Sequence, residues 1–335
     1  MLHRFILMLI IALLHQSPVL SQTVTEFYQG KTMTMLVGSS SGGGYDVTAR
    51  VVARHISRHI PGTPNVVVQN APGARGLIAT NNLYNLARRD GTVMGVIIRD
   101  HLVAPYILPD GIRYDERQFG WIGSVGTEVG VALAWHTAPH RTIEDIRKAE
   151  FIVGGSGNSA TLPRIYNYTM GTKFKVITGY SGSGGVLLAM EKGEVQGIGD
   201  FGLSNLVEKY DHWLTGGKVT VLFQTGRQRA RQLPDVPLAT ELAGDEQMRQ
   251  ILELCLTPND LARPIAVPPG VPRDRLLALR QAFVKLFSDD QFLAEARNSG
   301  MVIEPRSGDY IEATIARLRA LPPALIDAAR AAAEQ

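Results

Sequence analysis

Apolar positions along this chain switch repeatedly between a short continuous run and a helical period, and those switches predict its elements. Thr32 to Val37 is an apolar run of strand length, and Gly38 to Tyr45 is a loop of glycine and serine. From Asp46 to Ile60 the residues Ala49, Val52, Ala53, Ile56 and Ile60 recur at the i, i+3, i+4, i+7, i+11 spacing of a helix. Asp46 suits the N-cap of that helix, and Pro61-Gly62 ends it. The pattern then repeats: strand Asn65 to Gln69, loop Asn70 to Gly76, helix Leu77 to Arg88, turn Asp90-Gly91, strand Thr92 to Ile98. A βαβαβ series implies a parallel sheet whose post-strand loops gather along one edge, where ligands bind.

After Trp121 a second series begins. Val131 to Trp135 reads as strand, and Thr142 to Asp145 opens a helix in the manner of a capping box. Phe151 to Gly154 is strand, Gly155 to Thr161 loop, and a helix runs to about Met170. Lys175 to Thr178 is strand, Gly179 to Gly185 loop, Val186 to Lys192 helix, and Val195 to Ile198 strand. A last strand, Val219 to Gln224, is expected to return the chain to the first half. Four loops rich in Gly, Ser and Asn therefore each join a strand to a helix. Short side chains leave the first N–H groups of those helices uncovered, and each helix start carries about half a positive charge, so such ends accept anions.

Length and composition change this picture little. The 335 residues suggest two or three domains, and 45% apolar content supplies globular cores. Lys and Arg number 34 against 31 Asp and Glu, a net charge of +3 without any basic run, so nucleic acid is not an expected partner. Arg4, the apolar run Phe5 to Leu14, then Ser17, Pro18 and Ser21 follow the order of a secretory signal peptide over residues 1–21. Ten apolar residues span about 15 Å as helix, half a bilayer core. The mature protein is expected in the periplasm as a soluble monomer. Cys255 is the single cysteine, so no disulfide framework exists, and it reads as a buried thiol.

Catalytic patterns do not emerge. No Gly-Lys-Ser/Thr follows Gly42-Gly43-Gly44, no Gly-x-Ser-x-Gly is present at the other loops, and no cofactor or metal is expected. His55 and His59 stand four apart, as a metal pair does, but Arg54 and Arg58 beside them argue for a solvated polar face.

Gly42-Gly43-Gly44-Tyr45-Asp46-Val47 with Ala49-Arg50, Val66 to Asn70, Pro72-Gly73-Ala74-Arg75-Gly76 and Asp90-Gly91-Thr92 together resemble the extracytoplasmic solute receptors of tripartite tricarboxylate transporters, the Bug-type receptors. Gly155 to Ser159, Leu233 to Pro237 and Pro268 to Pro272 are similar to later segments of the same family, in the same order.

That resemblance implies a type II periplasmic-binding-protein fold: two α/β domains with a ligand cleft between them. It places 22–124 plus 226–335 in one discontinuous domain and 125–225 in the other. It implies a receptor that captures a small organic carboxylate by hinge closure and delivers it to the permease subunits of a membrane transporter. Matched position by position, it points to Ser40, Ser41, Gly42 and Gly43, to Gly73, Ala74, Arg75 and Gly76, to Ser156, Asn158 and Ser159, and to Asp200. Ser181 of the fourth loop joins this set. The family commonly has an aromatic and a proline where this chain has Ser39 and Ser41, so Tyr45 offers an aromatic surface instead. It often has glycine where Arg75 stands, and a guanidinium there can pair with a second carboxylate. Dicarboxylate, tricarboxylate, aromatic acid and acidic amino acid all remain open as ligands. A sensor of the same acid signalling to a membrane kinase and an enzyme on the same scaffold are the alternative functions.

Overall fold

In the computed structural model, which describes residues 22–180 and 182–334, two sheets form the frame. The first orders its strands β11-β4-β10-β3-β1-β2. Their ranges are β1 Thr32–Val37, β2 Asn65–Asn70, β3 Val93–Val96, β4 Gly120–Ser124, β10 Pro264–Val267 and β11 Arg306–Ser307. Strands β1, β2 and β3 are parallel, as the βαβαβ pattern requires, whereas β10 runs antiparallel to both β3 and β4. Met33, Met35 and Val37 of β1 point inward and pack with Val52 and Ile56 of the helix Gly44–Ile56 and with Phe283 and Leu286 of the helix Arg273–Leu286. Each such side chain contributes about 1.5–3 kcal/mol when buried.

The second sheet orders its strands β7-β6-β8-β5-β9, with β5 Gly130–Trp135, β6 Phe151–Gly154, β7 Phe174–Ile177, β8 Gly197–Gly202 and β9 Val219–Thr225. Every residue of β5 is buried. Ala132 and Ala134 face one apolar cluster while Val131, Leu133 and Trp135 face another, so both faces of this strand are covered. That explains its continuous apolar run.

Several expectations shift. Helix Gly44–Ile56 has Gly43 at its N-cap, placing Asp46 inside the first turn, and it ends at Ile56 in a short 3-10 turn, Ser57–His59. Strand β9 pairs antiparallel with β5 and stays in the second sheet rather than returning to the first. Gln224 of β9 bridges to Leu238, and Ala239, Ile251, Leu252 and Leu256 pack into the second sheet's cluster. The chain rejoins the first sheet only beyond Thr257, where Ala262 donates to Gly126 O at 2.9 Å and Glu128 to Asn259 O at 2.8 Å. The last helix, Pro323–Glu334, likewise packs Leu325, Ala329 and Ala332 into that cluster. These segments lie in the 226–335 stretch that the resemblance gives to the first domain, and their apolar faces cover helix Asn158–Met170.

The pair His55 and His59 is not a solvated face. His55 is buried and its Nε2 meets Glu295 Oε2 at 2.6 Å, while His59 Nε2 meets Asp289 Oδ2 at 2.8 Å. Both carboxylates belong to the helix Asp290–Asn298 and its N-cap, which docks on this face. The predicted signal peptide, residues 1–21, lies outside the described residues, as does Ser181. Among the described residues no helix is long and apolar enough to cross a membrane.

Candidate functional site

Parallel β1, β2 and β3 send their following loops to one edge, and the first two of these loops are locked together. Asn70, at the end of β2, donates from Nδ2 to Ser39 O at 2.9 Å and to Asp46 Oδ1 at 2.8 Å. Asp46 Oδ2 accepts from the Gly42 N–H and from Arg50 Nε, both at 2.9 Å. Burial works against the Asp46 carboxylate, yet Arg50, the Gly42 N–H and Asn70 together hold its pKa down to about 2. Gly38 and Gly76 make the close approach possible, since a Cβ on Gly38 would stand 2.8 Å from Gly76 Cα.

Between the edges of the two sheets lies a polar cleft of about 420 Å³. The first sheet contributes Tyr45, Arg99, Asp100 and Arg263; the second contributes Ser156, Asn158, Ser159, Ser183 and Asp200, with Glu128 from the crossing segment. Helices Asn158–Met170 and Ser183–Glu191 both begin here, and the amides of a first helical turn have no acceptor within the helix. Arg263 lays its guanidinium over the Tyr45 ring, 4.3 Å from the centroid, and donates from Nη1 to Ala262 O at 2.8 Å. Its Nε is buried with no partner among the described residues. The Tyr45 hydroxyl accepts the Arg99 N–H at 3.1 Å. Burial disfavours the Arg99 charge, but Tyr45, Asp100, Asp200 and Glu128 more than offset it and raise the pKa of the guanidinium. Burial pushes the Asp200 carboxyl up to about 6 against the pull of Arg99, with Asp100 and Glu128 adding to the rise.

A second hollow of about 210 Å³ adjoins the first, sharing Ile98, Asp100, Ser156 and Asn158 with it. Its walls are mainly apolar: Leu77, Val103, Ile107, Leu162 and Ile165, with Cys255 at the base. Burial raises the Cys255 thiol to about 12, so the thiol stays protonated. Burial also lowers His101, beside this hollow, to about 4. Ala74 and Arg75 on its rim hold left-handed φ of 44° and 55°, a conformation costing roughly 1–2 kcal/mol in a residue other than glycine.

Tyr45, Ala74, Arg75, Ser156, Asn158, Ser159 and Asp200 thus line the two hollows. Ser40, Ser41 and Gly42 are exposed at the edge of β1 and do not line either, nor do Gly43, Gly73 and Gly76. The amides of Gly42 and Gly43 are engaged by Asp46 and by Ser40 O. Arg99, Arg263 and Glu128 also line the cleft and are not among the residues to which the sequence pointed. A signal existed for Arg99, which follows the third parallel strand as the glycine loops follow the first two. Arg263 carried none, because only the antiparallel pairing of β10, with Ile265 opposite Val96, brings its start to that edge.

Two α/β lobes with a polar cleft between their loop edges define a binding protein of the type II periplasmic class. Over residues 48–285 the chain matches the family described as the tripartite tricarboxylate transporter family receptor, and it belongs to that family. Among curated proteins none matches the chain. Solved structures share the fold. A TctC solute binding protein from Polaromonas is 22% identical with a TM-score of 0.67, the alignment covering 90% of this chain and 99% of that one. MatC from Rhodopseudomonas palustris with bound malate is 19% identical, with a TM-score of 0.64 over 89% of this chain and 99% of the other. R. palustris Rpa4515 with adipate is 20% identical, with a TM-score of 0.64 over 89% and 97%.

Proposed function

We propose that this chain is a periplasmic receptor that captures a small organic carboxylate between its lobes by hinge closure and delivers it to the membrane subunits of a tripartite tricarboxylate-type transporter. The observation that carries this reading is Arg263. Its buried Nε lacks a partner among the described residues, and its guanidinium lies over the Tyr45 ring in a cleft that also receives two helix starts. A carboxylate accepting from Nε and Nη2 together satisfies that guanidinium bidentately. Malate and adipate in two proteins of the same fold agree with a carboxylate guest. Tyr45, Ser156, Asn158 and Ser159 would surround it, with Ala74 and Arg75 at the rim of the apolar hollow. Ser40 to Gly43, Gly73 and Gly76 would support the loops from behind.

In this reading residues 1–21 are the cleaved leader and 22–124 plus 226–335 form one unit against 125–225, with helices Glu246–Leu256 and Pro323–Glu334 bracing the second lobe. The protein works as a monomer, without cofactor or covalent step. The ligand prefers the closed arrangement, so occupancy shifts the population toward it.

A melting screen of carboxylates against their amides tests this. At about 100 times its Kd a carboxylate should stabilise the protein by about 2.7 kcal/mol, and Arg263→Ala should remove the shift. Equal shifts from acids and amides would sink the proposal.

A further inference from the structure

The charges lining the cleft do not suit a purely anionic guest. Arg99, Arg263 and Lys209 stand against Asp100, Glu128 and Asp200, so the lining is neutral as a whole but unevenly arranged. Lys209 is exposed, and Arg263 sits on the first lobe over Tyr45. On the opposite side Asp200 and Glu128 are only 7% and 9% exposed, and they share one deep cation, Arg99, whose near carboxylate is Asp100 at 3.7 Å from Nε. Glu128 accepts from Ser204 Oγ at 3.0 Å. Asp200 is worse served: among the described residues its one hydrogen bond comes from Thr225 Oγ1 at 3.5 Å, well beyond the usual O–H···O range. Buried carboxylates are normally paired with a cation or fully hydrogen-bonded. This one opens onto the cleft.

We propose that the ligand is a zwitterionic amino acid whose carboxylate rests on Arg263 and whose ammonium rests against Asp200, with Glu128 adding negative field behind it. The inference depends on the carboxylate-receptor reading for one end of the ligand and adds the other end. A neutral cleft accepts such a guest without net charge, whereas a dianion would bring a second negative charge toward two buried carboxylates that share a single deep cation. An ammonium also supplies the strong donor that Asp200 lacks.

The test is calorimetric titration of the purified chain with amino acids of differing side chain, each beside its deaminated acid and its N-acetyl derivative; L-leucine with 4-methylpentanoate and L-glutamate with glutarate are two such sets. A charge-assisted hydrogen bond predicts that the free amino acid binds about 10- to 100-fold tighter than either relative. Asp200→Asn should collapse that ratio to within about threefold, chiefly through weaker binding of the free amino acid. The acetylated compound makes the same point on the unaltered protein, should the variant fold poorly. Deaminated or acetylated acids binding as well as the amino acid would overturn the inference and leave the carboxylate reading standing. Binding by amides but by none of these acids would overturn both.

Discussion

Asn158, the first residue of the helix that begins the second-lobe wall of the cleft, donates from Nδ2 to Asp100 Oδ1 of the first lobe at 2.8 Å. The bond joins the two lobes across the cleft. One hydrogen bond to a charged acceptor contributes on the order of 1 kcal/mol, which under the hinge closure proposed above is a factor of about five in the ratio of closed to open forms. Asn158→Ala is therefore expected to enlarge the radius of gyration measured by small-angle scattering. An unchanged radius would show that the bond does not bias closure.

Asp46 should govern stability in acid. Its carboxyl is held near 2 in the folded protein, below the ordinary value of 3.8, so the folded state binds a proton less readily than the unfolded chain. The resulting stabilisation is complete above about pH 4 and is lost as pH falls toward 2. Asp46→Asn removes a buried charged acceptor of three donors and should cost about 1–3 kcal/mol at pH 7. Urea unfolding of both proteins should show the gap closing below pH 4; a gap independent of pH would mean that the ionised form carries none of the effect.

The repeated strand-to-helix units were legible because each strand is bounded by glycine or asparagine and each helix has its apolar stripe on one face. Thr32–Val37 and Phe151–Gly154 fall where the pattern puts them. The edge along which the loops collect was legible for the same reason. Strands β4, β10 and β11 were not, since they are short and their partners lie far away in sequence, Ile265 opposite Val96 being one example. Some of the glycines also have a packing reason that the sequence alone does not display. Gly38 and Gly76 are small so that two loops can touch, and the Gly42 amide is already taken by Asp46. Of the arginines that line the cleft, Arg99 had its place after the third parallel strand as a signal, whereas Arg263 carries no local pattern, because only the antiparallel pairing of β10 brings it to that edge.

Arg75 separates a conformational effect from a binding one. It is exposed, with φ of 55°. Replacing it with glycine relieves left-handed strain of roughly 1–2 kcal/mol at the expense of a freer unfolded chain, for a net gain of about 0.5–1 kcal/mol in unfolding free energy. Gly76→Ala is the opposite case: φ is +86° and the new Cβ would stand 2.5 Å from Ile98 Cγ1, so a loss of more than about 2 kcal/mol is expected. Arg75→Ala, with the loop otherwise unchanged, should weaken a dicarboxylate more than its half-amide if the guanidinium reaches the ligand; equal losses would remove Arg75 from the site.

Asp200 should oppose stability where Asp46 supports it. Its folded pKa, about 6, lies above the ordinary 3.8, so the unfolded chain loses this proton first. As pH rises from about 4 to about 6 the protein therefore gives up stability through this group, and the loss persists at higher pH. Asp200→Asn keeps the shape and cannot ionise. Measured by urea unfolding without added ligand, the variant should gain on the parent by on the order of 2 kcal/mol between pH 4 and pH 8, because other titrating groups cancel in the difference. A variant that is more stable at pH 8 and yet binds an amino acid less tightly shows that Asp200 is kept at a structural cost for the sake of its ligand. A gap that stays constant with pH would mean that Arg99 already balances the ionised carboxylate, and that no further cation is needed there.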